Sequence, residues 1–316
     1  MTHAVSLGVD QATAAGRTRY AGIRPIMRWI GWGLFWLAIA AALVFFIFPI
    51  FWMLETSFKN VNEASALHPA VVRFHPTLDN YRHIFFLTTA NATGAGTTTM
   101  TTDFPRYFLN SIVIGSISTL LALILGTLAA YGFSRFRVVA KNDLLFFILS
   151  QRMLPPIAVL IPIFLMYRAI GLVDTYAGMI LLYTTFNLPF AVWMMKGFID
   201  EIPREYEDAA MVDGYTRFQA FYKVIVPQSV SALAATAVFS LITVWNEFLF
   251  AFVLTTPGGA RTAPPSIAAA AGGGQGNIDW GLIAATAMLF VLPVLSFTFL
   301  VRNHLLRGVT FGAVRR

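Results

Sequence analysis

Long apolar runs alternate with short charged segments along most of the chain. Six of these runs are long enough to cross a bilayer as helices, each of which needs about 20 mostly apolar residues. The runs lack the period-two alternation of a transmembrane barrel. Because backbone groups in lipid must be paired within the protein, helices are predicted. The predicted spans cover residues 29–54, 107–134, 144–167, 176–195, 229–256 and 280–301.

Composition leads to the same class of protein. Hydrophobic residues make up 57% of the 316-residue chain, and charged residues make up only 12%. A soluble domain usually carries roughly 25% charged residues. The sequence therefore predicts an all-α polytopic membrane protein with six transmembrane helices.

The 22 Lys and Arg residues are divided unevenly between the two sides of the predicted membrane. Arg152 lies within the third span. Fifteen lie in segments on the side of the two termini, and six lie on the other side: Lys59, Arg73, Arg82, Arg106, Arg168 and Arg261. Positively charged segments stay in the cytoplasm, so both termini are predicted to be cytoplasmic. The net charge of +7 then reflects topology, and no nucleic-acid partner is expected.

The spans divide the chain into segments with different expected roles. The predicted segments are an unstructured cytoplasmic tail at 1–28, a first transmembrane helix at 29–54, an extracytoplasmic loop at 55–106, a membrane core at 107–302 with a charged cytoplasmic loop at 200–228, and a cytoplasmic tail at 303–316. Within the extracytoplasmic loop, residues 88–103 include eight Thr and show no hydrophobic periodicity. We expect a flexible stretch there and assign it no role.

The cytoplasmic loop begins with a short predicted helix. Pro203 suits a first helical turn, Glu205 favours the positive helix start, and Gly214 can supply a left-handed end. Ala209 and Ala210 leave a surface of low relief that another protein could approach closely. The alternative is a solvated connector on the membrane surface. After this helix, apolar residues recur at helical spacing before Pro227, namely Phe218, Phe221, Tyr222 and Ile225.

Polar residues within predicted spans are candidates for a transport path, because they are costly in lipid and tend to face a cavity. Arg152 is followed by Pro155, Pro156 and Pro162, so the third span is expected to be bent or partly unwound. The other candidates are Asn187, Asn246 and Glu247, with Tyr183 and Trp245 as aromatic residues that could stack on a sugar. The alternatives are interhelical hydrogen bonds, snorkelling side chains and ordinary aromatic packing.

The sequence EDAAMVDG, followed by FQAFYKVIVPQ, resembles the EAA loop of permease subunits in binding-protein-dependent ABC importers. The residues that match this motif are Asp208, Ala209, Ala210, Gly214 and Pro227. The segments LPPIAVLIPIF, WNEFLFAFVLTT and HLLRGVTFGAVRR are similar to the carbohydrate-uptake branch, specifically to its second maltose-type inner-membrane permease. The resemblance covers roughly residues 30–316.

The resemblance implies a type I ABC importer transmembrane domain in a bacterial inner membrane. In that family the EAA segment is a coupling helix that docks on a cytoplasmic ATPase. The resemblance therefore implies ATPase-coupling roles for seven residues of this chain: Glu207, Asp208, Ala209, Ala210, Asp213, Gly214 and Pro227. The implied partners are a second, non-identical permease, an ATPase dimer that binds ATP and Mg, an extracytoplasmic substrate-binding protein, and a sugar or polyol substrate.

The chain lacks the sequence features of an enzyme. It has no G-x-x-x-x-G-K-[ST] phosphate loop, and the glycine cluster at Gly272–Gly274 is interpreted as a loop. There is no cysteine, and the five His residues are scattered without metal-ligand spacing. We therefore expect no catalytic, cofactor or metal site in this chain. The alternative function is a self-contained secondary transporter that uses Arg152 and Glu247 for ion or proton coupling.

Overall fold

The computed structural model describes residues 23–66, 74–90, 97–271 and 279–312. The chain forms two compact units, Met1–Glu55 and Thr56–Arg316. Helix α1 (Ile23–Ser57) supplies the described part of the first unit, and its residues Gly31–Ser57 are long and apolar enough to cross a bilayer. This helix begins within the predicted unstructured tail, of which residues 1–22 lie outside the described ranges. The predicted glycine-rich loop at Gly272–Gly274 also lies outside them.

The second unit contains helices and one small hairpin. The helices are α2 (Val61–Ala64), α3 (Asp79–Phe85), α4 (Phe104–Arg135), α5 (Lys141–Ser150), α6 (Pro156–Ala169), α7 (Tyr176–Glu201), α8 (Glu205–Val212), α9 (Arg217–Ala220), α10 (Val226–Gln228), α11 (Val230–Trp245), α12 (Leu249–Leu254), α13 (Ala263–Ala271) and α14 (Trp280–Gly312). Helix α14 continues past the predicted boundary at residue 302.

The Thr-rich stretch corrects one expectation. Strands β1 (Phe86–Ala90) and β2 (Thr97–Thr101) pair antiparallel, with Phe86 opposite Thr101 and Ala90 opposite Thr97. A run without hydrophobic periodicity was expected to lack regular structure. Thr is β-branched and favours extended backbone, which explains how such a run can form strands.

Helices long enough to span a membrane confirm the predicted all-α class for the remainder of the described chain. Four are continuous: Gly31–Ser57, Phe104–Arg135, Tyr176–Glu201 and Trp280–Arg302. Two further pairs pass the same test of length and composition but are bent, by 95° at residues 153–156 and by 74° at residues 228–230. The described residues therefore hold up to six spans, if each bent pair counts as one.

The bend in the third span has a direct cause in the sequence. A 3₁₀ turn, Gln151–Met153, follows α5, and α6 begins only at Pro156. Leu154, with a ψ of 125°, is extended as expected for a residue before proline. Because Pro155 and Pro156 have no backbone N–H, helical hydrogen bonding stops here. The expected break in this span is confirmed.

Helices α4 and α7 pack along one another and form the centre of the second unit, with α11 against both. Small residues permit this approach. A Cβ placed on Gly126 would lie 2.6 Å from the Cβ of Ala191 and 3.1 Å from its carbonyl carbon. Toward the end of α4 a buried cluster continues through Ala130, Met195 and Ile199. Close packing of this kind holds membrane helices together where lipid removes the usual hydrophobic driving force.

We therefore expect Gly126→Ala to destabilise the protein by about 1–3 kcal/mol, the usual range for overpacking. The α4–α7 contact must open to admit the methyl group. Gly132→Ala is the matched control, because a Cβ at Gly132 meets nothing within 4 Å. Thermal unfolding in detergent should show a lower midpoint for Gly126→Ala alone. Equal midpoints for the two variants would contradict the packing described here.

Candidate coupling site and transport path

The loop at 200–228 contains a short helix with a defined end. Helix α8 closes where Gly214 adopts a φ of +90°. The N–H of Gly214 donates to the carbonyl of Met211 at 3.1 Å, and the N–H of Tyr215 donates to that of Ala210 at 3.0 Å. This pair of bonds is the Schellman arrangement, in which the left-handed residue is usually glycine. The predicted short helix and its glycine end are confirmed.

A second helical stretch follows directly. The side chains of Thr216 and Gln219 accept hydrogen bonds from each other's backbone N–H, at 3.2 Å and 2.8 Å, and so form a capping box. Helix α9 then widens into a π-helical segment, Phe221–Ile225, before α10. The predicted amphipathic pattern holds only in part. Its members Phe221 and Ile225 are buried, whereas the other two are exposed.

The C-terminal end of α4 holds α8 through a buried ion pair. Arg135 Nε donates to Glu207 Oε1, and these two side chains are only 5% and 9% exposed. The hydroxyl of Tyr131 donates to the other oxygen, Glu207 Oε2, at 3.1 Å. Both carboxylate oxygens are therefore occupied by groups of α4. Breaking such a pair would leave an uncompensated buried charge, so separating α8 from α4 costs free energy.

The same end of α4 also holds the chain on either side of α8. Before α8, Arg135 Nη2 donates to the carbonyl of Ile202 at 2.8 Å, and Arg204 Nη2 donates to the carbonyl of Ser134 at 3.0 Å. After α8, the ring of Tyr131 lies 4.7 Å from that of Phe221, centroid to centroid. A displacement of the loop would therefore be transmitted to α4.

This geometry sorts the predicted coupling residues into two groups. Glu207 and Ala210 are buried against the protein itself, so neither offers the free surface that the sequence suggested. The buried Ala210 cannot leave room for a partner, and Glu207 acts as an internal anchor. The exposed members are Asp208, Ala209, Asp213, Gly214 and Pro227.

Sequence reasoning missed the apolar part of this surface. Exposed apolar and aromatic side chains surround the exposed face of α8 and the start of α9: Tyr206, Val212, Tyr215, Phe218 and Tyr222. Val212 is 87% exposed. In the sequence these side chains are recognisable as apolar residues within a charged loop. The burial of the neighbouring Phe221 and Ile225 became visible only in three dimensions.

The predicted path residues fall into separate environments. Tyr183 and Glu247 lie together, with the tyrosine hydroxyl donating to Glu247 Oε2 at 2.7 Å. Glu247 also accepts from the N–H groups of Phe250 and Ala251, at 2.9 Å and 3.1 Å, and so caps the start of α12. This places a carboxylate at the positive end of a helix.

Two other candidates lie inside the helix packing. Asn187 is 1% exposed, and its amide donates to the carbonyl of Ser240 at 3.4 Å, which joins α7 to α11. Trp245 is 4% exposed, and its indole N–H donates to the carbonyl of Phe290 at 2.9 Å. Asn246 is exposed at the end of α11, where its amide donates to Ile242. Asn187 and Trp245 thus occupy the alternative, structural environments that the sequence left open.

Arg152 lies in the turn between α5 and α6, not within a continuous helix. Its guanidinium carbon is 5.5 Å from the ring centroid of Phe190, and that ring stacks on Phe239 with centroids 4.1 Å apart. Neither phenylalanine was predicted as a path residue. In the part of the chain that the structure describes, no group of three or more His, Cys, Asp or Glu side chains could hold a metal ion.

Comparison with known proteins places this geometry in a family. Residues 88–309 match the model of the "binding-protein-dependent transport system inner membrane component". The trehalose transport system permease protein SugB of Mycobacterium tuberculosis is 37% identical, over 85% of this chain and 92% of that protein. The trehalose/maltose transport system permease protein MalG of Thermococcus litoralis is 31% identical, over 85% and 91%.

A solved structure shares the fold. It is a bacterial alginate ABC transporter in complex with an alginate pentasaccharide-bound periplasmic protein. The matched chain superposes with a TM-score of 0.63 at 17% identity, over 89% of this chain and 95% of that one. At this identity the likeness concerns the fold, and it agrees with the predicted importer-type transmembrane domain.

Proposed function

The chain belongs to the inner-membrane components of binding-protein-dependent transport systems, and we propose that it is the permease of an importer for a sugar or polyol. A separate ATPase dimer, which binds ATP and Mg, drives transport through the loop at 200–228. The relatives named for trehalose and maltose transport support a carbohydrate substrate. Membership of this family makes the chain a transport subunit, with ATP hydrolysis on another polypeptide.

One observation carries the coupling role. A short helix outside the predicted spans is joined to α4 by the buried Arg135–Glu207 pair, while Ala209 and Val212 on the same helix stay exposed. A helix attached rigidly on one side and open on the other is suited to receive a force and pass it to the membrane. A flexible connector would need no buried ion pair.

The proposed assembly has three further proteins. They are a second, non-identical permease, the ATPase dimer, and an extracytoplasmic protein that delivers the substrate. The alginate transporter crystallised with its periplasmic protein supports the last of these. Lys and Arg placement supports an orientation with both termini in the cytoplasm of a bacterial cell. In this orientation α8 faces the ATPase.

Within the membrane we propose that Arg152, Asn246 and Glu247 border the transport path. Tyr183 fixes the orientation of the Glu247 carboxylate through the 2.7 Å hydrogen bond that its hydroxyl donates. Asn187 and Trp245, which are buried, act on the path by holding α11 against α7 and α14. The secondary-transporter alternative, with Arg152 and Glu247 as coupling groups, is not favoured by the family.

Reconstitution tests the proposal. Proteoliposomes with this chain, its second permease, the ATPase and the binding protein are tested with radiolabelled trehalose, maltose and glucuronate. At least one of these sugars should accumulate, and only when ATP is present on the side of the ATPase. Omission of the ATPase should abolish accumulation. Uptake by this chain alone, driven by an ion or proton gradient, would contradict the proposal and favour a secondary transporter.

A further inference from the structure

The broken third span and the fourth span line an open cavity of about 910 Å³. Apolar side chains of α6 and α7 form most of its wall, among them Val159, Ile163, Leu182 and Phe186. This volume lies in the range of small-molecule sites. Its polar lining residues include Ser150, Gln151 and Arg152, in and beside the 3₁₀ turn, and Thr185 on α7.

Arg152 lies within the third predicted span and lines the cavity. Its aromatic neighbour Phe190 lies within the predicted fourth span, five residues before that span ends at residue 195. A guanidinium among the apolar side chains of a membrane span costs free energy unless a partner compensates its charge. The position therefore requires a favourable interaction to offset this cost.

The described residues supply only part of that interaction. The contact with the Phe190 ring, at 5.5 Å, is a cation–π interaction. None of the described residues that line the cavity is an Asp or a Glu. No described carboxylate lies within ion-pair distance of Arg152. The guanidinium has five N–H donors in a planar fork that matches a carboxylate or a sulfonate.

From this arrangement we infer that the cavity binds an acidic saccharide, whose anionic group pairs with Arg152 while its ring lies against the adjacent aromatic and apolar wall. This inference rests on the proposed function and narrows its substrate class. Phe147, Tyr167 and Phe186 give the same cavity an aromatic surface. The C–H face of a sugar ring fits such a surface. A neutral sugar would leave the guanidinium without its counter-charge.

The test uses the assembled importer in nanodiscs without ATP, so that binding is measured apart from coupling. Sodium D-glucuronate and D-glucose serve as probes, followed by saturation-transfer NMR. Glucuronate should bind more tightly than glucose. Arg152→Gln should weaken glucuronate binding about tenfold, the loss expected for a bidentate charge-assisted pair, and Arg152→Lys should retain part of it. Arg168→Gln, an exposed site at the end of α6, is the matched control.

Three outcomes would overturn the inference. The first is equal binding of glucuronate and glucose, unchanged by Arg152→Gln. The second is loss of glucuronate binding when phosphatidylglycerol replaces phosphatidylcholine in the nanodisc, since an anionic lipid would then be the occupant. The third is loss of the second permease from purified Arg152→Gln complexes, since the counter-charge would then be a residue of that subunit. A failure of ATP-driven uptake with glucuronate binding intact would contradict the proposed function alone.

Discussion

Replacing Glu207 by alanine is expected to abolish substrate-stimulated ATP hydrolysis and uptake while the protein still inserts into the membrane. The substitution removes the partner of Arg135, whose side chain is 5% exposed. An unpaired buried charge costs about 3–5 kcal/mol. That energy shifts the attachment of α8 to α4 by a factor of a hundred or more, at about 1.4 kcal/mol per tenfold change.

The control for this variant lies on the same helix. Glu205 is exposed, so Glu205→Ala should leave uptake nearly unchanged. The double variant Arg135→Met, Glu207→Leu should recover part of the coupling, because an apolar pair can replace a buried ion pair, while the bond from Arg135 to the Ile202 carbonyl is still lost. Uptake and ATP hydrolysis are measured at matched membrane abundance. Equal activity of the Glu205 and Glu207 variants would refute the anchor.

A second large effect is expected at Gly214. A β-branched residue there must adopt the φ of +90° at a cost of about 1–2 kcal/mol. A Cβ at this position meets nothing within 4 Å, so the cost is one of backbone conformation and not of space. Gly214→Val should therefore loosen the end of α8 and reduce uptake, whereas Gly214→Asn, which tolerates the left-handed region, should retain most activity.

Hydrogen exchange gives an independent measure of the same change. The amides of Gly214 and Tyr215 are bonded to Met211 and Ala210, and their exchange should accelerate in Gly214→Val. The Asn variant should show little acceleration. Similar exchange and uptake in the two variants would show that the left-handed turn is not needed for coupling.

The sequence was sufficient for the membrane class, the bent third span and the short helix that ends at Gly214, because each depends on local chemistry. Apolar length defines a span, adjacent prolines break a helix, and glycine permits its left-handed end. The Thr-rich hairpin was missed because strand pairing depends on a partner strand as well as on composition.

The direction of individual side chains could not be predicted. Ala209 and Ala210 are adjacent and identical, yet only the second is buried. The difference arises from tertiary packing, in which α8 contacts α9 and the π-helical segment Phe221–Ile225. Glu207 was likewise expected to face a partner protein, but its side chain pairs with Arg135 of α4. Phe190 was indistinguishable from a packing residue until the structure placed Arg152 beside it.

Cross-linking tests the central claim, that α8 meets the ATPase, most directly. The chain has no cysteine, so Val212→Cys and Val139→Cys each introduce a single thiol. The two valines are similarly exposed, at 87% and 90%, and both lie on the proposed cytoplasmic side. After labelling with a benzophenone maleimide and illumination, position 212 should form an adduct with the ATPase whose yield changes with ATP, and position 139 should form little. An adduct yield at position 212 no greater than at position 139 would contradict the account.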